Sequence, residues 1–133
     1  MKLDEIITAG TVREDTYSVE MEHMAIHIGS GSARVLATPW MIAFMERTSH
    51  RLLAGCLPEG FTSVGIRVDV RHLAATPVGG TIRVRAEILA VDGFRVTLKV
   101  NAWDEVEKIG EGNHERYIID EKRFLTRVEA KKG

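Results

Sequence analysis

Regular alternation of apolar and polar residues dominates the chain after Gly60. Apolar side chains recur at every second position in the stretches 64–70, 82–88 and 94–102, with mostly charged or polar residues between them. A period of two is typical of strands that have one apolar and one polar face. Asp92-Gly93 indicates a tight hairpin between two of these strands. A last strand is predicted from about Gly110 to Arg127. Together these strands predict an antiparallel sheet with one face exposed to solvent.

A helix is predicted ahead of these strands, from Pro39 to Ala54. Threonine is a good N-cap, so Thr38 marks its start, and proline suits the first helical position. Gly55 supplies the stop. Upstream, residues 12–28 look extended, and Gly29-Ser30-Gly31-Ser32 has the composition of a loop.

The two halves of this predicted helix differ in character. Trp40 to Met45 is apolar on every side, which predicts burial all round, whereas Arg47 to Arg51 is polar and is expected to reach solvent. One apolar helix and one half-apolar antiparallel sheet bury their apolar surfaces by packing together. The expected fold is therefore α+β, with the curved antiparallel sheet wrapped around a long central helix.

Composition narrows the class of protein. The chain has 133 residues, 44% of them hydrophobic and 28% charged, which fits one globular domain over residues 1–133. A net charge of -1 gives no electrostatic case for nucleic acid or an anionic membrane as partner. The acidic start, Met1 to Glu5, does not look like a secretory signal, and no apolar run is long enough for a membrane span. Cys56 is the only cysteine, so we expect a reducing, cytoplasmic location.

Candidate chemistry centres on three side chains. Glu46 places a carboxylate in the apolar helix, and such a group usually has a partner or a task. Thr38 offers a hydroxyl at the helix start. His72 has the parity of Val70 on the strand that follows, so we expect it to face inward. Together they form a possible acid/base set with an apolar wall.

No metal site is expected. His23 and His27 are four residues apart, a spacing that would suit a metal on a helix. Their surroundings look extended, however, and no third ligand is evident. Cys56 is expected to be a structural thiol.

Five short strings resemble one known family. They are Ala37-Thr38, Met45-Glu46, Gly65, His72 to Pro77, and Gly112 to Arg116. In order and spacing they resemble the fluoroacetyl-CoA thioesterase-like branch of the hotdog-fold thioesterase superfamily. The resemblance runs from about Val35 to Phe124 and implies a hotdog fold.

The resemblance also implies site residues and partners. It assigns catalytic roles to Thr38, Glu46 and His72, an oxyanion-polarising backbone N–H to Gly65, and a supporting role to Arg116. It further implies a homodimer, possibly paired into a tetramer, with active sites and acyl-CoA at the subunit interface. The CoA thioester is then the substrate, and no cofactor or metal is expected.

In this scheme Glu46 is either the general base or a direct nucleophile, and His72 orients water or protonates the leaving thiolate. One departure limits the substrate. The fluoroacetyl-specific enzyme has a phenylalanine-rich lid before its threonine, whereas Gly29 to Ala33 contains no aromatic residue. The resemblance therefore supports hydrolysis of a short or small acyl-CoA without the fluoroacetate gate.

Other interpretations stay open from sequence. Each residue has a structural alternative: Thr38 as an N-cap, Glu46 as a partner of Arg116, His72 as a satisfied core residue, and Gly65 as a bulge. A non-catalytic acyl-CoA-binding module would use the same fold. A hotdog hydratase or dehydratase would typically need an aspartate–histidine pair, which is not seen at the start of the helix.

Overall fold

One long helix packs against a five-stranded antiparallel sheet. The computed structural model describes residues 1–133. The strands lie in the order β1-β3-β4-β5-β2. Their bounds are β1 Val12–Ser18, β2 Phe61–His72, β3 Thr81–Asp92, β4 Arg95–Trp103 and β5 Lys108–Asp120. The helices are α1 Ala25–Ile28, α2 Thr38–Ala54 and α3 Glu121–Glu129, with short 3-10 turns at Leu3–Glu5, Met21–His23 and Ala130–Lys132.

The core fills the space between α2 and the inner face of the sheet. Alternate residues of β3 and β4 are fully buried there, as the period of two predicts. They are Ile82, Val84, Ala86, Ile88, Val96, Leu98, Val100 and Ala102. The predicted α+β arrangement is confirmed, and the hairpin at Asp92-Gly93 joins β3 to β4.

The N-cap prediction at Thr38 is wrong. Ala37 is the N-cap, with extended backbone angles and no capping side chain, and Thr38 is already the first helical residue. Pro39 lies in the first turn, one residue after the first helical position predicted for it. Because the Thr38 hydroxyl does not cap the helix, it is available for another contact.

The predicted contrast between the two halves of α2 is confirmed only in part, since Arg47, His50 and Arg51 are exposed as expected. A buried stripe runs along the whole helix, from Met41 through Phe44 and Met45 to Leu52 and Leu53. The polar half contributes to this stripe, because Thr48 and Ser49 are both fully buried. The Thr48 hydroxyl shares a 2.7 Å hydrogen bond with the Tyr17 hydroxyl, and Ser49 donates to the Met45 carbonyl at 2.8 Å.

Two predicted extended stretches are partly helical. Only Val12–Ser18 of residues 12–28 is a strand, and helical turns follow it. The last strand ends at Asp120 and not near Arg127, because the Asp120 side chain accepts a hydrogen bond from the Arg123 N–H and caps α3.

A bulge in β2 switches the face of its side chains. The pairing of β2 with β5 shifts between Gly65 and Arg67, which leaves Ile66 without a partner. Gly65 pairs with buried Arg116 before the bulge, and Val68 pairs with buried His114 after it. The helix-facing positions therefore change from odd to even numbers, since paired residues share a face.

His72 consequently faces the helix, as predicted. Regular alternation would place Val64 on that same face, but Val64 lies before the bulge and faces away from the helix. Farther along β5, a Cβ at Gly110 would come within 2.5 Å of the Met41 sulfur. Glycine at this position lets α2 lie close to the sheet.

Candidate active site

Thr38 and His72 form a pair at the start of α2. The Thr38 Oγ1 and the His72 Nδ1 share a hydrogen bond of 2.7 Å. The pair exists because β2 ends beside the first turn of the helix. Burial lowers the pKa of His72 from its ordinary value, and the backbone of Ala74 opposes part of that shift. The His72 Nε2 is buried and has no hydrogen-bond partner.

A pocket of about 390 Å³ opens beside this pair. Its other walls are small or aliphatic, from the segments Ala25–Ala37 and Leu73–Ala75. Ser30 of the predicted glycine-serine loop contributes to the lining. The pocket therefore combines one imidazole and two hydroxyl residues with walls that otherwise carry no charge and no aromatic ring.

Glu46 and Arg116 form a second group, farther along α2. The Arg116 Nη1 lies 3.7 Å from the Glu46 Oε2, with the arginine side chain 7% exposed and the glutamate side chain 42% exposed. The apolar neighbours of Glu46 in the sequence predicted burial, but the Glu46 side chain is partly exposed. Its carboxylate lies at the surface of the chain and contacts a buried cation.

Three further hydrogen bonds fix the Arg116 guanidinium. Its Nε donates to the Ser63 hydroxyl at 2.7 Å and its Nη2 to the Ser63 carbonyl at 3.0 Å. Its Nη1 lies 3.1 Å from the Nε2 of His114, which is 1% exposed. Burial lowers the pKa of Arg116, and the Glu46 carboxylate opposes this. A guanidinium nevertheless stays charged at neutral pH.

Gly65 lies directly against this second group. A Cβ at Gly65 would be 2.7 Å from the Glu46 Oε2 and 3.2 Å from the His114 Cε1. No side chain fits there, so the carboxylate approaches the bare backbone of β2.

The structure therefore gathers the five predicted residues into two groups rather than one. Thr38 contacts His72, while Glu46 contacts Arg116 and lies against Gly65. Thr38 and Glu46 are eight residues apart on α2, a rise of about 12 Å. Glu46 has no hydrogen bond to either member of the first group.

Sequence reasoning missed the contribution of Ser63 and His114. One signal was present: His114 and Arg116 are two apart on β5 and so share a face. The position of Ser63 opposite them depends on the register of β2, which the sequence pattern did not reveal.

Other candidate residues lie outside these groups. The His23 Nδ1 accepts a hydrogen bond from the Glu20 N–H at 2.9 Å, and no group of three metal-ligating side chains is present. Burial raises the pKa of the Cys56 thiol, which does not favour the reactive thiolate. None of the helices is long and apolar enough to cross a membrane.

Comparison with known proteins identifies the family of the chain. A family model described as fluoroacetyl-CoA-specific thioesterase matches residues 19–122, more than half of the chain. The chain belongs to this family. A curated relative, the fluoroacetyl-CoA thioesterase of Streptantibioticus cattleyicolor, is 41% identical over 97 residues, covering 73% of this chain and 70% of the relative.

Solved structures of family members and related proteins superpose closely. One fluoroacetyl-CoA thioesterase structure has a TM-score of 0.88 and 33% identity, covering 94% of this chain and 97% of its own. The hot-dog-like protein of Thermanaerovibrio acidaminovorans has a TM-score of 0.91 and 26% identity, covering 100% and 98%. The predicted hotdog fold is confirmed, and membership of this family makes the chain a thioester hydrolase.

Proposed function

We propose that the protein hydrolyses a short or small acyl-CoA to the free acid and CoA. Thr38, Glu46 and His72 carry the reaction, with Gly65 and Arg116 in support. The proposal needs no cofactor or metal, and it retains the expected cytoplasmic location.

The observation that carries this proposal is the unpartnered His72 Nε2 beside the pocket. A buried polar atom without a partner costs free energy, so it points to a group supplied by a ligand. When the Thr38 hydroxyl donates to Nδ1, the neutral imidazole holds its proton on Nε2. That N–H can orient a thioester or protonate the departing thiolate.

Glu46 suits the role of general base. As water attacks the thioester carbonyl, the carboxylate takes a proton from it, and the C–S bond then breaks to release CoA thiol and acid. Direct attack by the carboxylate, through an anhydride that water hydrolyses, would use the same position. Arg116 keeps the carboxylate near Gly65, whose backbone N–H is the proposed oxyanion donor.

A homodimer would bring the two groups together. β2 is an edge strand whose exposed residues include Ile66 and Val68, and such an edge favours pairing with another strand. His72 and Gly65 are seven residues apart on β2, about 20 Å along the strand. Antiparallel pairing of two β2 strands about their middle would place the Gly65 and Glu46 of one subunit beside the Thr38 and His72 of the other.

The pocket beside His72 supports a small apolar acyl group. Its volume of about 390 Å³ exceeds what an acetyl group fills, and its walls offer no charged partner for a polar substituent. Acyl groups from acetyl to phenylacetyl span the range to be tested.

The experiment measures release of CoA thiol from a panel of acyl-CoAs, acetyl through phenylacetyl. Glu46→Gln is expected to lose at least about a hundredfold in turnover, because general-base catalysis typically contributes that much. Glu59→Gln, at an exposed turn position, is the matched control and should behave as wild type.

Three outcomes would contradict the proposal or the role that it gives to Glu46. Binding of CoA esters without thiol release from any member would favour the acyl-CoA-binding module. A change in double-bond absorbance with an enoyl-CoA, while CoA stays esterified, would favour a hydratase. Wild-type turnover in Glu46→Gln would remove the role assigned to Glu46.

A further inference from the structure

His114 is a buried histidine to which the proposed reaction assigns no role. It lies on β5 with 1% of its surface exposed. Its two ring nitrogens make two different contacts. Nδ1 lies 2.8 Å from the backbone carbonyl of Arg67, and Nε2 lies 3.1 Å from the Nη1 of Arg116.

These two partners fix the proton on the ring. A carbonyl only accepts, so Nδ1 must donate to the Arg67 oxygen. A guanidinium only donates, so Nε2 must accept from Arg116. Only the neutral imidazole with its proton on Nδ1 satisfies both contacts.

Each contact leads to a different part of the second group. Arg67 is the first paired residue after the bulge in β2, so the Nδ1 contact holds the backbone next to Gly65. Arg116 is the cation that faces Glu46, so the Nε2 contact orients the guanidinium toward the carboxylate. Both lines converge on Gly65, where an added Cβ would lie 3.2 Å from the His114 ring.

We propose that His114 is a positioning residue that sets the orientation of Glu46 through Arg116, while the Arg67 carbonyl helps to hold the imidazole in place. This inference rests on the proposed function of Glu46. Protonation of His114 would remove the acceptor for Arg116 and place a second cation beside it.

The charged groups around His114 are few. Arg116 and Glu115 are its neighbours on β5, Glu46 faces it from α2, and Arg67 lies on β2, while β4 contributes the apolar Leu98 as its pairing partner. Burial lowers the pKa of His114 most; the hydrogen bond to the Arg67 carbonyl opposes this, and the charge of Arg116 lowers the pKa again, against Glu46 and Glu115. The net lowering favours the neutral ring that the two hydrogen bonds require.

Two conservative variants separate the contacts. Asparagine places an N–H₂ near the position of Nδ1, so His114→Asn keeps the donor to the Arg67 carbonyl. Glutamine places its carbonyl near the position of Nε2, so His114→Gln keeps the acceptor for Arg116. His114→Leu removes both, and His27→Gln, at an exposed residue of α1, is the matched control.

Turnover and KM are measured for each variant, with unfolding monitored to confirm the folded state. His114→Gln should retain kcat within about threefold, and His114→Asn should lose about tenfold to a hundredfold with little change in KM, because misplacing a base by about 1 Å has that effect. Equal losses in both variants, in proportion to the folded fraction, would overturn the proposal. Wild-type kcat in His114→Asn would also overturn it.

A second measurement does not depend on the variants folding. Nitrogen NMR of the imidazoles in the wild-type protein should show His114 neutral and protonated on Nδ1 at neutral pH. A proton on Nε2, or an imidazolium, would overturn the proposal. Absence of turnover in the wild type would instead remove the proposed function and this inference with it.

Discussion

The two groups of the candidate site are built in different ways. Thr38 and His72 meet through one hydrogen bond at the wall of an open pocket, where a helix start and a strand end happen to adjoin. Glu46 contacts the buried Arg116. Three hydrogen bonds hold the Arg116 guanidinium, and one of them joins it to the buried His114. The first group leaves a polar atom unpartnered, whereas in the second group each of the three Arg116 guanidinium nitrogens has a hydrogen-bond partner.

This difference separates two tasks. In the proposed reaction His72 must bind the substrate, and its Nε2 has no partner in the chain. Only the Thr38 hydroxyl fixes the orientation of its ring through a side-chain hydrogen bond. A group that must keep a carboxylate in place is supported by a network, since such support determines how well the base is oriented. Variants that break the proposed dimer contact should therefore differ in effect from variants that alter one group alone.

The largest effect is expected from separating the two subunits of the proposed homodimer. Ile66→Lys places a charge in the exposed bulge of the β2 edge and should yield monomers with turnover lower by at least about a hundredfold, because the two groups of one subunit lie apart and the partner no longer supplies the second group. Leu89→Lys is the matched control, since Leu89 is an exposed apolar residue at a bulge of an interior strand. Sedimentation and thiol release test this, and a fully active monomer would contradict it.

Gly65→Ala disturbs the second group alone. The new Cβ would lie 2.7 Å from the Glu46 Oε2, so the carboxylate must move. We expect kcat to fall by about a hundredfold. In the control Gly55→Ala, the new Cβ meets the Leu52 carbonyl at 3.5 Å, an ordinary contact, so activity should be kept. Equal activity of the two variants would mean that the position of Glu46 is not critical.

Thr38→Val disturbs the first group alone. It removes the hydroxyl that shares a hydrogen bond with His72 while preserving the shape of the side chain. Turnover should fall by about tenfold, which is less than for Gly65→Ala, because His72 remains in place and loses only one contact. Thr38→Ser keeps the hydroxyl and should restore most of the rate; if it is as impaired as Thr38→Val, the hydroxyl is not the functional group.

The smallest effect concerns stability. The pKa of His114 is lowered by burial below its ordinary value of 6.5, so the native state binds fewer protons than the unfolded state as pH falls below that value. The free energy of unfolding should therefore decrease from about pH 6.5 downward. Urea unfolding should show a shallower decrease for His114→Gln than for the wild type, and identical slopes would exclude this contribution of His114.

The fold could largely be predicted because its signals are local. Alternation located β3 and β4, and Pro39 with Gly55 bracketed α2. The sequence did not reveal that Ala37, rather than Thr38, is the N-cap, because capping depends on backbone angles. It also did not reveal α3, whose charged residues resemble an exposed strand end.

The site could be predicted by residue but not by arrangement. Thr38, Glu46 and His72 were chosen from their types and from the family resemblance. Their separation into two groups depends on the rise of α2, and the partners of Arg116 depend on the register between β2 and β5. Register is a long-range property that alternation does not specify when a bulge intervenes.

The bulge at Ile66 also affects how the gene can change in length. Removing that one codon would join Gly65 directly to Arg67 and restore regular alternation to β2, so Val68, Val70 and His72 would keep facing the helix. Removing a codon far from the bulge would instead shift the neighbouring pairs by one residue and exchange the two faces. Within this strand, single-residue deletions should therefore be tolerated best at the bulge.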